Sequence, residues 1–114
     1  MLTQFLAACD APDAHVHIVG DDVDLATSQE LREFLRNLHR GGCTQLAVDA
    51  TAVTFIDACS LAVLQQERDR LLDLGGTLEV VAASQPYLVA ARLAGYDGLL
   101  PPDGRSARLR VVRT

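Results

Sequence analysis

The amino-acid sequence predicts an α/β domain with a mixed, mostly parallel sheet of about four to five strands and helices packed on it. Apolar runs typical of strands alternate with stretches whose apolar residues repeat at the period of a helix. The helical stretches end at glycines, and a strand–helix–strand succession joins parallel strands. The chain has 114 residues, of which 49% are hydrophobic. This is enough for one domain with a buried core, which we assign to residues 1–114.

Two strands and a helix are predicted in the first part of the chain. Residues 15–21 alternate like a half-buried strand, and residues 3–8 are expected to pair with it in the antiparallel direction. Thr27 and Glu30 have the spacing of a capping box, which predicts a helix capped by Thr27. Its apolar stripe consists of Leu31, Phe34, Leu35 and Leu38, with Arg32, Arg36 and Arg40 on the other side. Gly41 and Gly42 end the helix.

The second part continues the alternation of strands and helices. Residues 45–50 are predicted as a buried parallel strand, residues 77–83 as a third strand and residues 98–100 as a short last one. Pro86 suits the first turn of a third helix. The second helix is expected to use a face made of Leu61, Leu64, Arg68, Leu71 and Leu72. The tail at residues 105–114 alternates arginine with apolar residues and predicts an edge strand with a solvated face.

Charge and composition exclude several classes of function. The net charge is −5 and aromatic residues make up 4%, which argues against nucleic-acid binding, since that normally needs a basic face. The apolar runs are shorter than the roughly 18 residues of a membrane span, and no basic segment precedes the first one, so neither membrane insertion nor export is expected. Three cysteines without a C-x-x-C pair predict reduced thiols in the cytoplasm.

The stretch FIDACSL, residues 55–61, has the pattern of a capped helix start. Asp57 is the expected N-cap, and Ile56 and Leu61 have the spacing of a hydrophobic staple. The cap leaves the small residues Ala58, Cys59 and Ser60 unexplained, because a first turn tolerates larger side chains. Small residues where a strand turns into a helix indicate a surface that a partner approaches closely.

Enzymatic and metal-binding alternatives have weaker support. Cys59 would feel the helix dipole, but no basic residue adjoins it and no histidine pattern supplies a general base, so we expect no enzyme. His15 and His17 would share one strand face, yet two histidines without a third ligand favour a solvent-exposed face over a metal site. The glycine pairs follow helices, so no phosphate-binding loop or cofactor site is expected.

Four segments together resemble a known family, the STAS domains. GDDVDLATSQELREFL resembles its motif G-E-x-D-x-x-T-A-x-x-L-R, and LAVDATAVTFIDACSLAVL resembles its core D-x-S-x-V-x-F-[IM]-D-S-S-G-L. LLDLGGTLEVVAAS and PYLVAARLAGYDGLL are similar to the segments that follow. The resemblance covers roughly residues 14–100 and implies a small α/β sandwich.

The resemblance implies a regulatory, non-enzymatic protein of the bacterial anti-sigma-factor antagonist type. Many such proteins bind a serine-kinase anti-sigma factor and control transcription, and phosphorylation of a serine at a helix start breaks the complex. Here Cys59 matches that phosphoacceptor, Asp57 the motif aspartate, Ala58 the first serine and Ser60 the glycine. The implied partner-binding residues are Asp24, Thr27, Asp57, Ala58, Cys59 and Ser60. A homodimer is also compatible with the sequence.

The resemblance leaves the control of binding open. A thiol at the acceptor position cannot take the phosphoserine switch, and Ser60 lies about 100° further around the helix as a poor substitute. Binding is then constitutive, or oxidation of Cys59 takes the place of phosphate. An alternative function is a STAS-like subunit of an ABC-type transporter complex, which packs on its ATPase.

Overall fold

A four-stranded sheet with helices on one face forms the body of the protein. The structure is a computed structural model that describes residues 4–102. The strands are β1 (Phe5–Asp10), β2 (Asp13–Ile18), β3 (Asp22–Val23), β4 (Gln45–Ala50), β5 (Phe55–Ile56) and β6 (Thr77–Ala83). The helices are α1 (Leu25–Arg40), α2 (Ala58–Asp73), α3 (Gln85–Ala94) and a 3-10 turn at Asp97–Leu99.

The main sheet has the order β1-β2-β4-β6. β1 and β2 are antiparallel, as predicted, and β2, β4 and β6 are parallel to one another. The mixed, mostly parallel α/β sheet is thus confirmed. The parallel pairs are joined by α1 and α2, because a crossover must return the chain to the starting edge of the sheet.

In the described part of the chain, helices cover one face of the main sheet. In β2 the side chains of Ala14, Val16 and Ile18 are buried, whereas His15 and His17 are exposed. β4 alternates in the same way: the parallel strand predicted at residues 45–50 is present, and alternate side chains bury one of its faces. The period of two in a strand sends alternate side chains to opposite faces, and the helices of residues 4–102 all lie on the first of these faces.

α1 and α2 pack against each other and share a charged cluster. The carboxylate of Glu67 on α2 is 1% exposed and pairs with Arg36 at 3.0 Å and with Arg70 at 3.1 Å. Arg32 Nε lies 3.5 Å from the same carboxylate. The buried apolar face of α2 includes Leu61, Leu64 and Leu71 as predicted, but Leu72 is 48% exposed and belongs to the surface.

Two further predictions were wrong, and a third lies outside the described residues. α1 begins one turn earlier than expected, with Asp24 and not Thr27 as its N-cap, because the Asp24 carboxylate accepts the Thr27 amide. Residues 98–100 form no strand: Leu99 and Leu100 donate back to Tyr96 and Asp97 in a 3-10 turn. The predicted edge strand at residues 105–114 lies outside the described residues.

Within residues 4–102, no helix combines the length and the apolar character needed to cross a membrane.

Candidate functional site

The N-terminal ends of α1 and α2 lie side by side. A two-stranded parallel ladder pairs Val23 with Ile56, and each of these residues is followed at once by an N-cap aspartate, Asp24 or Asp57. Because β3 and β5 are parallel and end at paired residues, the helices that follow them begin next to each other. We call the residues at these starts the helix-start surface: Asp24, Leu25, Thr27, Phe55, Asp57, Ala58 and Cys59.

The start of α1 is organised around the Asp24 carboxylate. Its Oδ1 accepts hydrogen bonds from the Thr27 backbone N–H and from the Thr27 hydroxyl, each at 3.0 Å. These two bonds favour the ionised form and lower the pKa of Asp24 below its ordinary value. Asp24 is exposed and Thr27 is half-buried, so both predicted residues lie at the surface.

The start of α2 has the predicted cap. The Asp57 carboxylate accepts the backbone N–H of Ser60 at 2.8 Å, which confirms Asp57 as the N-cap. The Asp57 backbone N–H donates in turn to the Val23 carbonyl at 3.4 Å. Ile56 and Leu61, the predicted staple pair, both lie in the buried core.

Ser60 faces inward and is fully buried. Its hydroxyl donates to the Val23 carbonyl at 3.0 Å, across the ladder that joins the two helix starts. A phosphate on this oxygen would have to occupy the space of the Val23 backbone. The arrangement argues against Ser60 as a substitute phosphoacceptor and as a residue that contacts a partner directly.

Cys59 and Ala58 point outward from the first turn of α2. Both are exposed, and so is Phe55, at 51%, on the strand that precedes them. Leu25, 49% exposed, opens α1 on the neighbouring start. The helix-start surface therefore combines small residues with two larger apolar side chains, Leu25 and Phe55, and with two carboxylates. Mixed apolar and polar surfaces of this kind are typical of protein–protein interfaces.

Sequence reasoning missed Leu25 and Phe55 as parts of this surface. Phe55 and Ile56 look alike as an apolar pair, yet a strand turns successive side chains to opposite faces, and only Ile56 is buried. The alternation alone could have shown that one of the two is exposed. The predicted staple between Ile56 and Leu61 indicates that Ile56 is the buried one.

The histidine pair lies elsewhere, on the open face of the sheet. The rings of His15 and His17 are 6.2 Å apart, and His17 Nδ1 lies 3.4 Å from the Asp49 carboxylate. Across residues 4–102, no group of three or more His, Cys, Asp or Glu side chains is arranged to hold a metal ion. The described part of the chain thus offers no metal centre near either helix start.

The fold is similar to that of solved anti-sigma-factor antagonists. The unphosphorylated form of SpoIIAA superimposes with a TM-score of 0.72 at 11% identity, over 96% of this chain and 94% of that one. The anti-sigma factor antagonist from Mycobacterium paratuberculosis gives a TM-score of 0.72 at 23% identity, over 96% and 93%. The phosphorylated form of the Bacillus cell fate determinant SpoIIAA gives 0.66 at 12% identity, over 96% and 97%. At these identities the likeness concerns the fold.

Sequence comparison identifies the family itself. No curated protein sequence matches the chain. Residues 7–101, which include both helix starts and all strands of the main sheet after the first two residues of β1, match the family model described as "Mlab, STAS domain". The match spans well over half of the chain, and the chain belongs to this family of STAS domains.

Proposed function

We propose that this protein is a regulatory protein-binding module of the anti-sigma-factor antagonist type, which binds a serine-kinase anti-sigma factor through the helix-start surface and so controls transcription. Its motifs resemble those of such antagonists, and its fold is similar to that of solved structures bearing that name. Regulation by binding needs no catalytic group, in keeping with a site that holds a lone thiol without a neighbouring base.

The observation that carries the proposal is the contrast between Cys59 and Ser60. In the sequence resemblance Cys59 matches the family's phosphoacceptor, and Cys59 is exposed, while the adjacent Ser60 hydroxyl is buried against Val23. This contrast supports Cys59, and not Ser60, as the residue that a partner would contact. A partner that covers Cys59 would contact a thiol at the position where other family members present a serine.

Physical chemistry supports the flanking residues as contacts. Phe55 offers a large exposed ring, Ala58 three residues later is small and exposed, and exposed aromatic side chains are common binding anchors. Asp24 and Asp57 add two charges that a basic partner surface would match. Introducing a charge at Cys59 in the middle of this area adds desolvation and repulsion, as phosphate does in the family.

Without an acceptor serine, we propose that binding is constitutive with respect to phosphorylation. Oxidation of Cys59 to a sulfenic acid or a mixed disulfide is the second form of control that an exposed thiol permits. The two are separable, because only the second makes partner binding sensitive to mild peroxide.

A pull-down with the tagged protein from its native host tests the binding surface. We expect the wild type to capture a small serine-kinase-type protein, and we expect Cys59→Asp and Phe55→Ser to lose it. Leu74→Ser is the matched control: Leu74 is 57% exposed, similar to the 51% of Phe55, but it lies at the C-terminal end of α2, opposite the helix start. Equal capture by wild type, Cys59→Asp and Phe55→Ser would show that the surface is wrongly assigned.

Two additional measurements distinguish constitutive binding from control by oxidation of Cys59. Cys59→Ser, incubated with the captured partner and ATP, is expected to gain a phosphate that the wild type does not gain. Peroxide treatment of the wild type before capture should leave binding unchanged if control is constitutive. Co-purification of an ABC ATPase in place of the kinase would favour the alternative, a STAS-like subunit of a transporter complex.

A further inference from the structure

Cys9 lies on the helix-covered side of the edge strand β1. It pairs across the ladder with Ala14, whose side chain is buried on that side. Phe5 is four residues before Cys9 on the same strand, so both side chains point to this face. The centroid of the Phe5 ring is 5.6 Å from that of Phe34 on α1. Cys9 is nevertheless exposed, because it stands near the end of an edge strand.

Cys43 lies at the same end of the molecule as Cys9. It follows α1, and its backbone N–H donates to Leu38 at 3.0 Å. The next residue, Thr44, donates its backbone N–H to Pro12 in the β1–β2 turn at 2.9 Å. Cys43 Sγ is 3.8 Å from the Asp13 carbonyl, one residue before the pairing partner of Cys9, and the side chain is 3% exposed.

The topology explains why these two cysteines lie at the same end of the molecule. β2 and β4 are parallel, so α1 must run back along the sheet and release the chain near the start of β2. β1 runs antiparallel to β2, so its last residues reach the same place. Phe5–Phe34 marks one end of this packing, and Cys9 and Cys43 mark the other.

We propose that Cys9 and Cys43 are a modification site: a peroxide oxidises them to a reversible disulfide that joins β1 to the end of α1. Exposed Cys9 attacks the peroxide oxygen and becomes a sulfenic acid, and one water leaves. Cys43 then attacks the Cys9 sulfur, the S–S bond forms, and the hydroxyl and the thiol proton leave as a second water. Two thiols lose two electrons and two protons, and one peroxide is reduced to two waters.

The environment of the two sulfurs divides these roles between them. Burial and the neighbouring Cys9 thiol raise the pKa of Cys43, so Cys43 is mostly protonated and reacts with an oxidant in solution more slowly than a thiolate would. Cys9 reaches solvent and meets the oxidant first. Cys59 takes no part, and this inference does not depend on the proposed partner binding.

Peptide mapping of the Cys59→Ser variant tests the disulfide. Trypsin cleaves after arginine, so Cys9 falls in the peptide 1–32 and Cys43 in 41–68, which in the wild type also contains Cys59. Removal of Cys59 makes the assignment unambiguous. After mild peroxide, we expect a monomer lighter by two hydrogen atoms, in which 1–32 is linked to 41–68 until a reductant is added.

Cys9→Ser in the same background is the control, since Cys9 is exposed and its replacement leaves the core intact. It should show no linked peptides. The crosslink closes a loop of roughly 35 residues, so the oxidised Cys59→Ser protein should melt higher than the reduced one by on the order of 10 °C. A peroxide-treated monomer without linked peptides, or a linkage only between two molecules, would overturn the proposal.

Discussion

Ser60 donates its hydroxyl to the Val23 carbonyl at 3.0 Å, and this carbonyl also accepts the backbone N–H of Asp57 at 3.4 Å. The Val23 carbonyl oxygen on β3 thus binds both the N-cap residue and a first-turn residue of α2. Because Asp24 follows Val23 directly, the same contact fixes the position of the α1 start relative to the α2 start. The residue that looks like a spare phosphoacceptor in the sequence is a buried connection between the two helices.

Ser60→Ala should destabilise the fold by about 1–2 kcal/mol, because it removes a buried hydrogen bond and leaves the Val23 carbonyl with only the longer bond from Asp57. Urea denaturation followed by circular dichroism measures the change. Cys59→Ala, one residue away but exposed, is the control and should stay within about 0.5 kcal/mol of the wild type. Equal effects of the two substitutions would contradict the structural role of Ser60.

Glu67→Gln should cost about 2–3 kcal/mol, since it removes the one carboxylate that faces Arg32, Arg36 and Arg70. The hydrogen bonds to Glu67 raise the pKa of Arg36. An arginine is charged at neutral pH even without such a partner, so Arg36 stays charged when the carboxylate is lost. The estimate lies below that for a fully buried pair because the arginines are about one-third exposed. Glu79→Gln, on the open face of the sheet, serves as the control in the same urea titration and should have no measurable effect.

The alternation of strands and helices could be predicted from sequence because it is encoded in local periodicity. Glycine stops and apolar stripes placed α1, α2 and α3 close to their observed bounds. The Thr27 cap was wrong because two overlapping cap patterns compete there, and the earlier one, Asp24, satisfies the amide of Thr27. The third and fifth strands, two residues each, are too short to leave a periodic signal.

At the site, the sequence predicted which residues cluster but not which way they face. Whether Cys59 or Ser60 points outward depends on the rotation of α2 against β3, and this rotation is set by the Val23 carbonyl, 37 residues away in the chain. Glu67 shows the same limit: its pattern is that of an exposed helical glutamate, and only packing against α1 buries it among arginines.

Thr27→Val should raise the pKa of Asp24 part of the way towards its ordinary value of 3.8. The substitution removes the hydroxyl bond and keeps the backbone bond, which is the larger cause of the lowering. An NMR titration of the Asp24 carboxyl carbon in both proteins measures the shift. Identical Asp24 titration curves would contradict the hydroxyl contact.

The same shift makes the Asp24 contribution to stability depend on pH with a defined sign. A carboxyl whose folded-state pKa lies below its unfolded value stabilises the fold above the unfolded value. This stabilisation is lost as the pH falls from about 3.8 through the lower folded-state pKa. The stability difference between wild type and Asp24→Ala should therefore shrink over that interval, as measured by urea midpoints at a series of acidic pH values. A difference that does not vary with pH there would contradict an ionised cap.

Tyr87→Phe should lower the free energy of unfolding by about 1–2 kcal/mol at neutral pH, because the Tyr87 hydroxyl donates to the Leu99 carbonyl at 2.8 Å and both groups are buried.

Burial also raises the pKa of Tyr87 well above its ordinary value of 10.0. The unfolded chain thus loses this proton first, and the wild type loses stability as the pH rises above about 10. Tyr87→Phe has no such loss, so the two proteins should approach each other at alkaline pH. The sequence has no lysine, and the other groups that titrate in this range are common to both proteins, so the difference between their urea midpoints from pH 7 to 11.5 measures the effect. A constant gap across that range would show that the phenol ionises in the folded state.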